Sequence, residues 1–265
     1  MKLIQGIAPA GVPEPATYRY FIADLHLDGT DTERAEQFRA LLARLSTEAA
    51  SRPVELYILG DLFEFWYEYR AALFEIYRKD LSALDSAFKA GVKIFLFYGN
   101  RDFAYGNYVT RRFGATVLGD GEAITLNDSR PVWLEHGDLL CTSDRKYLRF
   151  RSIIRSGPVR LAFWMMPWRI ARGAIDRLRR KSMSEKSAKP AHTMEIDPVA
   201  ARQRLEKHRC RVLMCGHTHK PKIEDLGAGY QLIVLPPWCE VPGGYLDNGE
   251  VLKKFQEDRL SKKQN

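Results

Sequence analysis

Short apolar runs alternate with longer segments of helical spacing through the first half of the chain. Residues 18–23 are rich in aromatic and apolar side chains, and the segment 32–50 places Phe38, Leu41 and Leu45 on one helical face. Short apolar runs favour buried strands, and the three-to-four-residue spacing favours amphipathic helices. We expect strands at 18–23, 54–59, 92–98, 115–118, 123–126 and 131–135, and helices at 32–50, 71–90 and 106–113.

The second half of the chain begins with a long helical segment and ends in strands. Residues 145–206 have helical character, with a break at Gly157-Pro158. Alternating strands and helices followed by a more strand-rich part predict an α/β sandwich with a helical insertion. The closing strands predicted from apolar runs are 211–215, 230–235 and 244–246.

The predicted organisation is one core interrupted by this insertion. At 265 residues the chain is long enough to bury one sizeable core. An N-terminal extension (1–17) with three prolines precedes the core, which comprises residues 18–144 and 207–255. Residues 145–206 form the predicted cap, and residues 256–265 form a polar tail.

The composition is that of an ordinary globular protein, with 45% hydrophobic and 28% charged residues. The four cysteines form no Cys-x-x-Cys pair, which indicates reduced thiols rather than a disulfide framework or a zinc site. The first 20 residues lack the apolar stretch of a signal peptide, and the run 161–168 is far shorter than a membrane span. We therefore expect a cytoplasmic protein.

The net charge of +8 is concentrated in one part of the chain. Residues 145–189 contain 14 Lys and Arg residues against only Asp176 and Glu185. The positive charge therefore indicates a function of this segment rather than a requirement of the fold as a whole. An anionic substrate, an anionic membrane surface or a nucleic acid would each account for it.

Candidate chemistry follows the predicted strands. In α/β proteins, ligands bind at the carboxyl ends of strands, and five loops there carry carboxylate, imidazole or amide groups. Such groups suit Mn²⁺, Fe²⁺ or Zn²⁺, and two ions sharing a carboxylate can clamp a phosphoryl group and activate water. The pattern predicts a hydrolase of phosphate esters or anhydrides. The segments are Asp24-Leu25-His26, Gly60-Asp61, Gly99-Asn100-Arg101-Asp102, His136-Gly137-Asp138 and Gly216-His217-Thr218-His219.

The five motifs in this order resemble the calcineurin-like metallophosphoesterase superfamily, over residues 18 to about 246. The resemblance implies a four-layer αββα sandwich with two central sheets. It also implies that Asp61 bridges two metal ions and that Asp61, Asn100 and His136 are catalytic, and we expect Arg101, which follows the motif asparagine, to be catalytic as well. The implied ligands are Asp24, His26, Asp61 and His219 for one metal, and Asp61, Asn100, His136 and His217 for the other.

Arg101 changes the expected reaction. Most of the superfamily has a histidine after the motif asparagine, and it protonates the leaving alkoxide of a phosphomonoester. An arginine does not release its proton at working pH, but its planar fork can bind phosphate. Arg101 therefore favours a leaving group that needs no acid, as in pyrophosphate cleavage. The alternative is that Arg101 only pairs with Asp102.

Residues 60–66, 99–103, 136–144 and 216–221 resemble a narrower group, the UDP-2,3-diacylglucosamine hydrolases of lipid A biosynthesis. The resemblance implies cleavage to UMP and 2,3-diacylglucosamine 1-phosphate, with two Mn²⁺ ions or with Fe, Zn or Co in their place. Lys186 departs from the group, which usually has asparagine there. The implied substrate contacts are Asn100, Arg101, Asp144, Tyr147, Phe150, Ser182, Lys186, Lys189 and His217.

The predicted cap contains more large apolar residues than one packed helix face requires. Interleaved with arginines, they could line an acyl pocket or rest on anionic lipid, although a helical hairpin with its own core remains the alternative. We expect a monomer that associates with the cytoplasmic face of the inner membrane. The competing functions are another phosphoesterase acting on a different nucleotide diphosphate, phosphodiester or phosphoprotein, a nuclease, and an inactive scaffold. The mixture of arginine with apolar residues disfavours a nucleic-acid groove.

Overall fold

The computed structural model describes residues 15–68, 71–167, 169–174, 177 and 195–257. Three of the predicted substrate contacts, Ser182, Lys186 and Lys189, lie outside the described residues. The same holds for most of the predicted N-terminal extension and of the polar tail.

Strands and helices alternate along the described chain, as the apolar periodicity predicts. The strands are β1 (Tyr18–Ile22), β2 (Val54–Ile58), β3 (Lys93–Phe97), β4 (Thr116–Gly119), β5 (Glu122–Thr125), β6 (Pro131–Leu134), β7 (Val212–Cys215), β8 (Lys222–Gly227), β9 (Tyr230–Val234), β10 (Gly243–Asp247) and β11 (Leu252–Gln256). The helices described along their whole length are α1 (Glu33–Ala49), α2 (Ala71–Ile76), α3 (Arg78–Lys89), α4 (Asn107–Arg112), α5 (Arg145–Ile154), α6 (Gly157–Met165) and α7 (Pro198–His208).

Two sheets form the centre of the molecule. The first has the strand order β11-β10-β1-β2-β3-β4, in which β1 to β4 are parallel, β10 is antiparallel to β1, and β11 is antiparallel to β10. The second has the order β5-β6-β7-β9-β8, with β6, β7 and β9 parallel. Five of these parallel strands, β1, β2, β3, β6 and β7, carry the predicted motifs at their carboxyl ends.

Three layers of apolar contacts join the sheets and helices. Between the two sheets, Phe21 and Tyr57 of the first pack with Leu134 and Met214 of the second. Side chains of α1 and α3 cover the outer face of the first sheet. On the outer face of the second sheet, α7 buries Leu205 in a further cluster. This helix–sheet–sheet–helix stack confirms the predicted four-layer sandwich.

Three elements differ from the sequence prediction. The single helix expected over 71–90 is interrupted at Tyr77, whose buried ring lies 4.5 Å from that of Phe63, between centroids. Strands β8 and β11 were not predicted, because both are edge strands with mostly exposed residues and so lack a continuous apolar run. Secondary structure there depends on pairing with a neighbouring strand.

The first two helices of the predicted cap bury none of their residues fully. Among the described residues, no helix combines the length and hydropathy needed to cross a lipid bilayer. Because α5 and α6 bury no residue fully, several large apolar side chains remain on the surface of this segment. They are Phe150, Ile153, Leu161, Trp164, Met165 and, beyond α6, Ile170.

We expect Leu205→Ala to lower the free energy of unfolding by about 2–5 kcal/mol, because it removes a fully buried side chain between α7 and the second sheet. Val199→Ala is the matched control, since Val199 is exposed on the same helix and should change stability by less than about 0.5 kcal/mol. Urea denaturation measures both. Equal effects of the two substitutions would contradict the assigned packing of α7.

Candidate metal centre

The five motifs meet where the carboxyl ends of the parallel strands converge. Three motifs follow β1, β2 and β3 of the first sheet, and two follow β6 and β7 of the second. Backbone hydrogen bonds join neighbouring loops within each sheet: Asp24 N donates to Gly60 O (3.2 Å) in the first, and Gly216 N donates to His136 O (2.9 Å) in the second. Between the sheets, His217 N donates to Asp24 Oδ2 (2.8 Å). The side chains that the sequence distributes over nearly 200 residues therefore face one another.

One group of ligand atoms comprises Asp24, His26, Asp61 and His219. The ligand atoms of the first three lie within 4.8 Å of one another. His26 Nε2 is 3.3 Å from His219 Nε2 and 3.7 Å from Asp61 Oδ2, and His219 Nε2 is 3.8 Å from Asp24 Oδ1. These separations place two imidazole nitrogens and two carboxylates around one point.

The second group comprises Asn100, His136 and His217, with Asp61 beside it. Asn100 Oδ1 is 3.1 Å from His136 Nε2 and 3.0 Å from His217 Nδ1, and the two histidine nitrogens are 3.2 Å apart. Asp61 Oδ2 lies 3.8 Å from His136 Nε2. The same Asp61 oxygen therefore faces both groups, as expected for a bridging carboxylate.

Backbone conformation also sets this centre apart. Five residues of the centre have positive φ angles, between 48° and 71°, a region that residues other than glycine rarely adopt, and only three further non-glycine residues of the described chain do so. Such conformations cost about 1–3 kcal/mol each and persist where the surrounding structure enforces them, often at functional sites. The five residues are Asp24, His26, Asp61, His217 and His219, all of them predicted metal ligands.

A sequence model of the family described as calcineurin-like phosphoesterase matches residues 19–221. The chain belongs to this family. The match confirms the predicted superfamily and the predicted class of enzyme, a metal-dependent hydrolase.

Individual relatives cover most of the chain. A UDP-2,3-diacylglucosamine hydrolase from Aeromonas hydrophila is 36% identical over 223 residues, which is 83% of this chain and 90% of the relative. One from Klebsiella pneumoniae is 34% identical over 238 residues, 90% of this chain and 95% of the relative. The solved structure of a dimetal phosphatase from Danio rerio has a TM-score of 0.44 at 14% identity, covering 92% of this phosphoesterase and all of that chain.

The donor atoms of this phosphoesterase fit divalent cations. Oxygen and imidazole donors together suit first-row transition metals. Asp24 is almost fully buried, yet its Oδ1 accepts no hydrogen bond from the described residues. A buried carboxylate oxygen without a donor is costly unless a cation faces it. The orientation of the His136 ring also suits a metal ligand. Its Nδ1 lies 2.8 Å from Leu59 O, so Nδ1–H donates there and Nε2 points into the centre.

Electrostatics favour the metal-binding protonation states of His217 and Asp61, whereas the carboxylates around His26 and His136 outweigh burial and raise the pKa of both imidazoles. Burial and the adjacent His136 lower the pKa of His217 to about 4, so its imidazole is neutral near neutral pH. For Asp61, burial opposes ionisation, but His136, His26 and Arg101 outweigh it and lower the pKa of the carboxyl group. A neutral imidazole and an ionised carboxylate are the forms that bind metal ions.

Arg101 lies at the edge of the centre, with its side chain 23% exposed. Its backbone N–H donates to Asp61 Oδ1 (2.9 Å), and its Nε is 3.8 Å from Asp61 Oδ2. The guanidinium Nη1 donates to Glu64 Oε1. Nε is buried and donates no hydrogen bond within the described part of the chain, which leaves a donor beside Asp61, the carboxylate between the two groups.

Asp102 has a structural role, and the alternative that Arg101 only pairs with it is wrong. The Asp102 carboxylate is fully buried and stabilises the loops that carry the ligands. It accepts hydrogen bonds from the backbone amides of Asp61, Phe63 and Gly99 and from the hydroxyl of Tyr105.

The first cap helix brings the predicted substrate contact Tyr147 to the centre, and the predicted contact Asp144 caps this helix. Asp144 caps α5 by accepting from Tyr147 N (3.1 Å), and the Tyr147 ring lies 6.2 Å from that of His217. Burial and Asp138 raise the pKa of Tyr147, so its hydroxyl keeps its proton and donates to Asp138. Phe150, the third predicted contact on α5, has a half-exposed side chain.

Two arginines connect α5 to the metal loops. Arg151 Nε donates to Asp138 Oδ2 (2.7 Å), and Arg155 Nη2 donates to Gly99 O (2.7 Å), next to Asn100. Asp138 belongs to a predicted motif, but its role as the partner of the cap helix was not predicted. The position of α5 over the site is therefore fixed by charged contacts to two of the five loops.

Three residues near the centre were missed by the sequence analysis. Glu240 Oε1 lies 2.9 Å from His219 Nδ1, and Cys239 Sγ lies 3.9 Å from the same nitrogen. Three potential ligand atoms lie within 4.8 Å of one another here, one each from His26, His219 and Cys239. Both Cys239 and Glu240 follow β9, so the rule applied to the other strand ends could have found them. The third residue is Glu64, which lies in the segment 60–66 that resembles the narrower group.

Gly99→Ala should reduce kcat/KM by at least about 100-fold, because displacements of about 1 Å in an active site have effects of this size. A Cβ atom at Gly99 would lie 2.2 Å from Asp61 N and 2.2 Å from Asp61 Oδ1, so the metal loops must separate. Gly157→Ala is the control, since nothing lies within 4 Å of a Cβ there. Phosphoesterase kinetics and metal content measure the effect, and near-normal values for Gly99→Ala would contradict the close approach.

Proposed function

We propose that this phosphoesterase hydrolyses the pyrophosphate bond of UDP-2,3-diacylglucosamine, giving UMP and 2,3-diacylglucosamine 1-phosphate in lipid A biosynthesis. The relatives that cover most of the chain have this substrate in their names. The structural observation that carries the proposal is the position of Arg101. Its guanidinium lies beside Asp61, the carboxylate shared by both groups of ligands, and most of the superfamily has a histidine at this position.

The proposed cofactor is a pair of Mn²⁺ ions, with Fe, Zn or Co as alternatives. Such a pair, when bound, polarises the phosphoryl group and supplies the attacking oxygen from water. The proposed roles of the protein side chains follow from the two groups of ligand atoms, with Asp61 between them. Asp24, His26, Asp61 and His219 would hold one ion, and Asp61, Asn100, His136 and His217 the other.

Arg101 would bind the substrate phosphate through its Nε and Nη donors. It stays protonated throughout, so it supplies charge and orientation but no proton for the leaving group. A phosphate leaving group needs none, because its second pKa is about 6. The proximity of the Tyr147 ring to His217 supports Tyr147 as a substrate contact, and Asp144, which caps the same helix, is proposed beside it. The roles proposed for Ser182, Lys186 and Lys189 stay predictions.

The exposed apolar side chains of α6 suit a lipid substrate at an anionic membrane surface, here the cytoplasmic face of the inner membrane. Trp164 and Met165 have exposed fractions of 53% and 70% in a segment rich in arginine.

We expect the double variant Trp164→Ser/Met165→Ser to bind vesicles containing phosphatidylglycerol at least about 10-fold more weakly, because each large side chain contributes about 1.5–3 kcal/mol when buried. Sedimentation measures this, with Ile223→Ser, an exposed position on β8, as control. Unchanged binding of the double variant would contradict a role in membrane contact.

The decisive experiment is incubation of the purified protein and Mn²⁺ with UDP-2,3-diacylglucosamine in detergent micelles, following UMP release. The proposal expects rapid release that EDTA abolishes and Mn²⁺ restores, together with weak hydrolysis of nitrophenyl phosphate. If the lipid nucleotide is inert while another nucleotide diphosphate or a phosphodiester is cleaved, the metal centre stands and the lipid substrate is excluded. Steeply salt-dependent binding and cleavage of DNA would instead indicate a nuclease.

A further inference from the structure

Glu64 occupies a fixed position between two functional side chains. It follows Asp61 in the loop after β2, and its backbone N–H donates to Leu27 O (2.7 Å), next to a β-bridge between Leu27 and Phe63. The Glu64 side chain is only 13% exposed. Its carboxylate is therefore held within the site rather than extended into solvent.

The two carboxylate oxygens of Glu64 face different partners. Oε2 lies 3.3 Å from His26 Nδ1, an ion-pair distance without the geometry of a hydrogen bond, and Oε1 accepts a hydrogen bond from Arg101 Nη1. One side chain thus contacts a predicted metal ligand and the predicted phosphate-binding arginine. Both partners carry or can carry positive charge, so an ionised Glu64 suits both contacts.

The Glu64 carboxylate beside His26 Nδ1 favours a proton on that nitrogen, which leaves Nε2 to face the centre. With Nδ1 directed at Glu64, Nε2 points towards Asp61 Oδ2 (3.7 Å) and His219 Nε2 (3.3 Å). Carboxylates in this position fix the tautomer and the ring orientation of metal-binding histidines, and removing them typically weakens metal binding about 10–100-fold.

The contact with Arg101 determines where the guanidinium lies. Arginine side chains have many rotamers, and phosphate recognition by the planar fork depends on its orientation. Glu64 holds Nη1, which leaves Nε buried near Asp61 without a hydrogen-bond acceptor among the described residues. Without Glu64, the nearest carboxylate for the guanidinium would be Asp61 itself.

We propose that Glu64 is a positioning residue that couples the two parts of the site: it orients the metal ligand His26 and, through its second oxygen, the phosphate-binding Arg101. This inference rests on the proposed function only for the role of Arg101. Glu240 offers a comparison, because it contacts His219 Nδ1 at 2.9 Å with a side chain that is 59% exposed. Glu240 should therefore act on metal binding alone.

The test measures Mn²⁺ affinity by calorimetry and, at saturating Mn²⁺, the affinity for inorganic phosphate. Glu64→Gln keeps the shape of the side chain, and Glu64→Asp keeps its charge but is too short to reach both partners. We expect Glu64→Gln to weaken Mn²⁺ binding about 10–100-fold and phosphate binding about as much as Arg101→Ala does. Glu240→Gln should weaken Mn²⁺ binding only.

The double variant Glu64→Gln/Arg101→Ala tests the coupling directly. Its loss in phosphate affinity should be smaller than the sum of the losses in the two single variants. Glu64→Asp should lose phosphate affinity as well, with near-ultraviolet circular dichroism reporting an intact fold. Normal phosphate affinity in Glu64→Gln, or additive losses in the double variant, would overturn the proposal. Both measurements are independent of the lipid substrate, so failure of UDP-2,3-diacylglucosamine hydrolysis would be distinguishable from failure of this inference.

Discussion

Asp61→Asn is expected to abolish hydrolysis and to lower the metal content of the protein. Asp61 is almost fully buried, and its Oδ2 lies 3.7 Å from His26 Nε2 and 3.8 Å from His136 Nε2, between the two groups of ligand atoms. In the variant, an amide N–H₂ can occupy this position, and it cannot bind a cation. Bound metals contribute several kcal/mol to transition-state stabilisation, so kcat/KM should fall by about 10³-fold or more.

The measurements for Asp61→Asn are metal stoichiometry by mass spectrometry and the initial rate of UMP release. Asp128→Asn is the control, since Asp128 is an exposed turn residue that contacts Arg130. Thermal unfolding distinguishes loss of the site from loss of the fold. A variant that retains two metal ions and normal turnover would show that Asp61 is not the bridging ligand.

Arg101→Ala should reduce kcat/KM for the pyrophosphate substrate by about 10²–10³-fold, the usual effect of removing one donor that stabilises transition-state charge. Its side chain lies beside Asp61 and Glu64, so truncation removes the phosphate contact without removing a proposed metal ligand. Arg101→Lys should recover only part of the loss, because an ammonium group lacks the planar fork.

The control for Arg101 is Arg111→Ala, an exposed arginine on α4. Metal content should stay near that of the unmodified protein in Arg101→Ala, which separates this variant from Asp61→Asn. Hydrolysis of nitrophenyl phosphate should be weak both before and after the substitution, because Arg101 donates no proton to a leaving group. Undiminished UMP release in Arg101→Ala would remove the main argument for pyrophosphate cleavage.

Much of the fold was predictable because its signals are local. The strands of the first sheet that carry motifs are short apolar runs, and α1 follows from the spacing of Phe38, Leu41 and Leu45. Edge strands β8 and β11 have no such run, and the interruption at Tyr77 depends on packing against Phe63. These features were missed because they are set by neighbours that lie elsewhere in the sequence.

The sequence by itself determined which chemical groups stand at the strand ends and that an arginine replaces the usual histidine. Side-chain identity and strand ends are local properties, so Asp61, Arg101 and the four motif histidines could be named in advance. The tertiary structure alone decided that His26 and His219, 193 residues apart, place their nitrogens 3.3 Å from each other. It also decided the joint contacts of Glu64 and the low pKa of His217. Distances and burial of this kind arise only when two sheets pack, because no local pattern specifies how separate strand ends meet.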